Sequence, residues 1–118
     1  MNIKANYRKK FGNCVKMIPA RLGVPANNFF RILGDFLCVD VDTLRAYANK
    51  GFPKSYCSDR FAEFMALFYK SVEKCMEIES LGSQTVVRNW ELYRDSIITE
   101  FYTIHDAELG HLDNIDKC

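Results

Sequence analysis

The chain has 118 residues, of which 48% are hydrophobic and 14% aromatic. This length fits one domain and this composition can fill a core, which excludes bulk disorder. No apolar run approaches the ~20 residues that span a bilayer, and the first residues lack the apolar segment of a secretory signal. We therefore expect a single cytoplasmic domain over residues 1–118 with no membrane contact.

The net charge of +1 conceals an uneven distribution. Residues 1–54 carry ten basic and three acidic residues, a net of +7, whereas residues 55–118 carry six basic and twelve acidic residues, a net of −6. Such a basic half indicates contact with a polyanion. Alternatively, the two halves attract one another within a monomer or across a dimer.

The cysteines show neither an even count nor a Cys-x-x-Cys spacing. A secreted disulfide framework needs the first and a zinc site usually shows the second. We expect free thiols that pack as small apolar residues, with no metal and no cofactor. The five are Cys14, Cys38, Cys57, Cys75 and Cys118, of which Cys57 is predicted to lie in a loop.

Apolar residues at three- and four-residue intervals predict a first helix over 3–17. Pro19 disfavours helical geometry in the residue before it, so this helix should end there. Pro25 suits the first position of a second helix, which runs to about Leu37 with a wide apolar stripe.

A third, short helix is predicted over about 41–49. The carboxylate of Asp40 can accept the free amides of its first turn. Gly51 suits the residue just past a helix end, and Pro53 blocks continuation.

The second half predicts two longer helices, over about 59–79 and 84–104, with Ser58 and Ser83 as caps. The short link between them implies an antiparallel hairpin. Residues 105–118 are predicted to form a polar tail. The expected fold is therefore all-α: a small bundle of about five helices, with a basic part (1–54), a helical hairpin (55–104) and the tail.

The helix at 59–79 carries apolar residues outside its main stripe, at Phe64, Leu67 and Tyr69. A helix with so much apolar surface must be covered on more than one side. The N-terminal helices, a second copy or another protein are the alternatives. We expect self-association, as a homodimer.

The segment 34–47 resembles a helix-turn-helix. In that family a small residue allows close packing, a polar residue caps the second helix, and Thr-Leu begins its buried face. The following Arg45-Ala46-Tyr47 and Gly51-Phe52-Pro53 are similar to the MerR and excisionase branches. The matching residues are Gly34, Leu37, Val39, Asp40, Thr43 and Leu44.

The segment departs from the family pattern in two ways. Cys38 replaces the turn glycine, so it must adopt a left-handed conformation at a cost of roughly 1 kcal/mol or turn differently. Asp40 and Asp42 lie at the start of the recognition helix, where DNA phosphates repel them.

A second match overlaps the first, at 18–31. It has the turn glycine, Gly23, and its recognition helix would present Asn27, Asn28 and Arg31. It also places Pro19 inside a helix, at a cost of roughly 3 kcal/mol. The later match is therefore preferred on backbone grounds.

The resemblance implies a small transcriptional regulator that binds duplex DNA as a dimer. The residues expected to contact DNA are Arg45, Asn49, Lys50, Lys54, Thr43, Arg21, Arg31, Lys9 and Lys10. The alternative is a protein-binding module or inhibitor of phage or mobile-element type that acts through the C-terminal hairpin. We expect no enzyme activity and no metal site, since the sequence shows no catalytic motif and the only histidines, His105 and His111, lie in the predicted tail.

Overall fold

The computed structural model describes residues 3–79 and 84–117, with side chains described over 7–78 and 84–109. These residues form helices and no strand, which confirms the all-α bundle. None of the described helices is long and apolar enough to cross a bilayer. The elements are α1 (Ile3–Leu22), α2 (Ala26–Leu37), α3 (Val41–Lys50), a π-helical turn (Ser55–Asp59), α4 (Phe61–Glu79) and α5 (Thr85–Lys117).

The first helix does not end before Pro19, and that prediction is wrong. α1 continues through the proline to Leu22. The carbonyl oxygen of Pro19 accepts hydrogen bonds from the amides of Gly23 (2.9 Å) and Val24 (3.0 Å), which close the helix. Ile18 and Leu22 are both fully buried, so core packing offsets the amide bond that the proline lacks.

The predicted ends of α2 and α3 are confirmed to within a residue or two. α2 begins directly after Pro25, and α3 begins after Asp40, whose Oδ1 accepts the Thr43 amide at 2.6 Å. α3 ends at Gly51, which has a φ of 126° and donates its amide to the Tyr47 carbonyl at 2.8 Å. These boundaries follow from local backbone chemistry.

A π-helical turn replaces the predicted cap of α4. The amide of Arg60 donates to the carbonyl of Ser55 at 2.6 Å, five residues back. Ser58 does not cap α4, because its hydroxyl donates to the carbonyl of Lys54 at 3.1 Å. The turn also buries Cys57, which the sequence placed in a loop.

The predicted polar tail is instead helical. α5 has 33 residues and continues to Lys117, so the predicted end near residue 104 is wrong. The ring of His105 stacks on Phe61 with centroids 4.2 Å apart, and Glu108 is buried. These contacts show that the side of α5 that packs against the bundle continues beyond residue 104. The predictions for Ser83, His111 and Cys118 fall outside the described side chains.

Aromatic rings from four segments meet at the centre of the bundle. Phe11 of α1 lies 5.1 Å from Phe52, 4.9 Å from Phe64 of α4 and 5.1 Å from Phe101 of α5, measured between ring centroids. α1 packs mainly on α5, and α2 packs mainly on α4. The core therefore joins the N-terminal helices to the C-terminal pair.

The predicted antiparallel hairpin is confirmed by aromatic pairs between α4 and α5. Phe61, at the start of α4, contacts Tyr102, whereas Phe68, farther along α4, contacts Trp90 near the start of α5. The two helices therefore run in opposite directions. Leu92 of α5 lies outside this packing and is 66% exposed.

The N-terminal helices cover the extra apolar surface of α4. Phe64 is fully buried against Phe11, and Leu67 is half-buried beside the core. Tyr69 remains 37% exposed. The apolar surface of α4 that led to the prediction of self-association is thus largely covered within one chain. The homodimer stays a prediction.

Candidate nucleic-acid interface

The connection between α2 and α3 requires a left-handed residue, and Cys38 supplies it. Its φ and ψ are 62° and 38°. The amides of Cys38 and Val39 donate to the carbonyls of Asp35 (3.3 Å) and Gly34 (2.9 Å), which satisfies the end of α2. Cysteine therefore adopts here the conformation for which the family pattern has glycine.

The small residue at position 34 is required by close packing. A Cβ atom placed on Gly34 would lie 2.7 Å from the carbonyl oxygen of Val39. Leu44 is fully buried, and Thr43 is half-buried with its amide held by the Asp40 cap. Helix, turn and helix therefore pack as the sequence predicts, and Thr43 contributes a cap contact.

The recognition helices of the two overlapping matches, α2 and α3, differ in how many of their residues are buried. The earlier match requires Pro19 to lie within its first helix, and α1 does contain this proline. α2, the recognition helix of that match, buries six of its twelve residues, whereas α3 buries two of its ten. α3 therefore has more free surface than α2.

The outward face of α3 carries polar and basic residues. Arg45, Asn49 and Lys50 are exposed in its second half. At the start of α3, the carboxylate of Asp40 accepts hydrogen bonds from the side chain and from the backbone amide of Thr43. These bonds hold the pKa of this carboxyl below its usual value. Asp42 is exposed as well. Positive charge is thus concentrated toward the end of α3.

The acidic half neutralises very little of the basic half. Among the described side chains before residue 55, one cation forms an ion pair: Arg21, whose Nη2 lies 3.1 Å from Oε1 of Glu100. Arg8 donates its Nε to the carbonyl of Phe52 at 2.6 Å, without a carboxylate. Among these described side chains, charge attraction between the two halves is therefore limited to the pair of Arg21 and Glu100.

The predicted contact residues do not gather on one face. Lys10 and Glu100 line a groove between α1 and α5, and Arg21 is held by Glu100. Arg31 lies beside Lys74 in a cavity between α2 and α4. These three predicted sites are therefore separate from the outward face of α3.

Other predicted residues do lie near α3. The amide of Phe52 donates to the carbonyl of Arg8 at 3.2 Å, which places the start of α1 beside the end of α3. Lys9 is exposed at this junction, and Lys54 is exposed just beyond the loop. Lys9, Lys50 and the α3 side chains thus belong to one region of the surface.

One residue that the sequence did not assign to the site joins this region. Lys16 of α1 lines a cavity together with Arg45 and Asn49 of α3. It follows Lys9 by seven residues, two helical turns, so the two share a helix face. That spacing is visible in the sequence, but the approach of α3 to this face is not. We call Lys9, Lys16, Arg45, Asn49 and Lys50 the α1/α3 face.

The cysteines do not add a reactive group to this region. Cys14, Cys38 and Cys57 are free thiols; Cys38 is exposed, whereas Cys14, Cys57 and Cys75 are buried. Burial and the nearby carboxylate of Glu108 raise the pKa of Cys57 to about 12, so its thiol stays protonated near neutral pH. Burial and Glu100 likewise raise the pKa of Cys14.

No group of three or more His, Cys, Asp or Glu side chains that could hold a metal ion occurs in the described part of the chain. Comparisons with protein-family models, with curated proteins and with solved structures found no match to this chain.

Proposed function

We propose that the chain binds duplex DNA through the α1/α3 face and acts as a small transcriptional regulator. The observation that carries this proposal is the set of exposed cations on α1 and α3 that form no ion pair with any described carboxylate. Charges left unpaired on one surface keep their full attraction for an external polyanion. The packed helix–turn–helix geometry of α2 and α3 supports it.

The charges along α3 indicate how it would lie on DNA. Asp42 is repelled by phosphates, whereas Arg45, Asn49 and Lys50 offer donors to phosphates and base edges. α3 would therefore approach with its second half. Lys9 and Lys16 would contact the backbone beside it, and phosphate contacts of this kind set affinity and its salt dependence.

The test is binding to a fluorescent duplex of mixed sequence, followed by anisotropy between 50 and 200 mM salt. We expect wild-type affinity to fall steeply with salt. The double variant Arg45→Ala, Lys50→Ala should bind at least about 10-fold more weakly, and its slope of log affinity against log salt should be smaller by about two.

The matched control is Lys70→Ala, Lys74→Ala, which removes two exposed cations from α4 and changes the net charge equally. This control should bind DNA almost as the wild type does. If both double variants lose the same affinity, attraction is a matter of net charge alone and the assignment to α3 is wrong. Absence of salt-dependent binding by the wild type contradicts the proposed function itself.

A second candidate, protein binding through the C-terminal hairpin, is favoured by the outer surface of α5. Four large apolar side chains are exposed there. Exposed apolar surface of this kind is typical of protein contacts. This candidate requires a stoichiometric protein partner that is retained after nuclease treatment. The four residues are Leu92, Tyr93, Tyr102 and Leu109.

A further inference from the structure

A small cavity opens at the junction of α1, α2 and α3. Its volume is about 290 Å³. Its polar groups come from two helices, α1 and α3, and its apolar wall includes the buried ring of Phe30 and the buried Ala48. The lining residues are Lys16, Ala26, Phe30, Arg45, Ala48 and Asn49.

The polar lining consists entirely of groups that can donate hydrogen bonds to an anion. Lys16 and Arg45 supply positive charge, and Asn49 supplies an amide. Arg45 and Asn49 are four residues apart on α3, so they lie on the same side of that helix. None of the described carboxylates lines the cavity. The apolar wall beside these donors lowers the local polarity on one side of the cavity, which favours their attraction for an anion.

The ring of Phe30 also positions Arg45. The guanidinium carbon lies 5.8 Å from the centroid of this ring, in a cation–π contact. Such a contact restricts the side chain without using its N–H donors, which remain free for a planar or bidentate interaction. The cavity therefore presents one pre-oriented cation and one flexible cation.

In the other basic cavities found among the described residues, an acid lines the cavity or already pairs with its cation. The cavity with Arg21 has no acid in its lining, but Arg21 pairs with Glu100 at 3.1 Å. The cavity with Arg60 also contains Glu63, and these two side chains form an ion pair at 2.6 Å. The cavity with Arg31 and Lys74 also contains Asp35. In both, the carboxylate in the lining opposes the entry of an external anion.

We infer that the cavity between α1, α2 and α3 is a binding site for one phosphate group, held by Lys16, Arg45 and Asn49. Two sources share this chemistry: a phosphodiester of the nucleic-acid backbone, or a free phosphorylated small molecule. The first source rests on the proposed function, and the second does not.

The test is a titration of the whole, isotope-labelled chain with inorganic phosphate, followed by amide chemical shifts. Sodium chloride at matched ionic strength serves as the reference. We expect saturable shifts at Lys16, Ala26, Arg45 and Asn49 with phosphate and none with chloride. Lys16→Gln should weaken phosphate binding by at least about 5-fold, because it removes a charge but leaves an exposed position of α1 helical.

Lys70→Gln, an exposed lysine of α4, is the matched control and should bind phosphate as the wild type does. The inference is overturned if phosphate produces no saturable shifts, or if both variants lose the same affinity for phosphate. This holds even if duplex DNA binds elsewhere on the surface.

The same shifts identify the source of the phosphate. A short duplex that displaces inorganic phosphate from these residues supports the backbone as ligand. Alternatively, adenosine 5′-monophosphate displaces inorganic phosphate and duplex DNA does not bind. That result supports the phosphate site with a free phosphorylated molecule as its ligand, and it contradicts the proposed function.

Discussion

The two halves of the chain use their charges in different ways. In the C-terminal half the ion pairs are local: Arg60 with Glu63, Lys74 with Glu77, and Arg94 with Asp95. In the described N-terminal half, most of the cations are exposed and only Arg21 forms an ion pair. The opposite net charges of the halves therefore contribute little to joining them.

Apolar packing joins the halves instead. α1 lies on α5 and α2 lies on α4, and the rings of Phe11, Phe64 and Phe101 meet where these layers touch. A charge imbalance in a sequence is therefore compatible with a fold in which the basic surface stays free. The following variants test this comparison, beginning with the largest expected effect.

Removing the central ring should break the joint between the halves. Phe11→Ala is expected to lower the free energy of unfolding by about 3–5 kcal/mol, because the ring is fully buried among Phe52, Phe64 and Phe101. Urea denaturation measures this loss. The control is Leu92→Ala, which changes an exposed side chain of α5 and should cost much less. An equal cost at the two positions would contradict the central role of Phe11.

A smaller change tests the approach of α1 to α3, which forms the α1/α3 face. A Cβ atom on Gly12 would lie 2.7 Å from the carbonyl oxygen of Tyr47 and 2.8 Å from that of Ala48, both backbone atoms. Alanine is the better helix former by about 1 kcal/mol, so without this contact Gly12→Ala would stabilise α1.

We expect the opposite sign, a loss of about 1–3 kcal/mol, because the two helices must move apart. Thermal or urea denaturation reports the sign directly. Asn13→Ala, at the exposed neighbouring position, isolates helix propensity and should be neutral or slightly stabilising. A Gly12→Ala variant more stable than the wild type would show that α1 and α3 are not in close contact.

The smallest effect is expected from the ion pair between the halves. Glu100→Gln should lower the free energy of unfolding by less than about 1 kcal/mol, because both partners are partly exposed and solvent screens their attraction. Glu91→Gln, which removes an unpaired exposed acid from the same helix, is the control. A loss of more than about 2 kcal/mol at Glu100 alone would mean that charge does join the halves.

The candidate site was predictable only where its parts are local. The family pattern predicted the packing role of Gly34, the left-handed turn at position 38 and the outward residues of α3 from short-range spacing. It also included Lys10, Arg21 and Arg31, which the fold places on other surfaces. Lys16 was missed because its relevance depends on α3 crossing α1 near Gly12, a contact between residues more than thirty positions apart.

The amino-acid sequence by itself determined the helical class, the antiparallel hairpin and the ends of α2 and α3. Apolar periodicity and capping act over a few residues, so their effects can be read locally. Only the tertiary structure decided that α1 passes through Pro19, that α5 extends beyond residue 104, and which cations share a face. These outcomes depend on burial against distant segments, where packing free energy outweighs the local preference for a break or a solvated end.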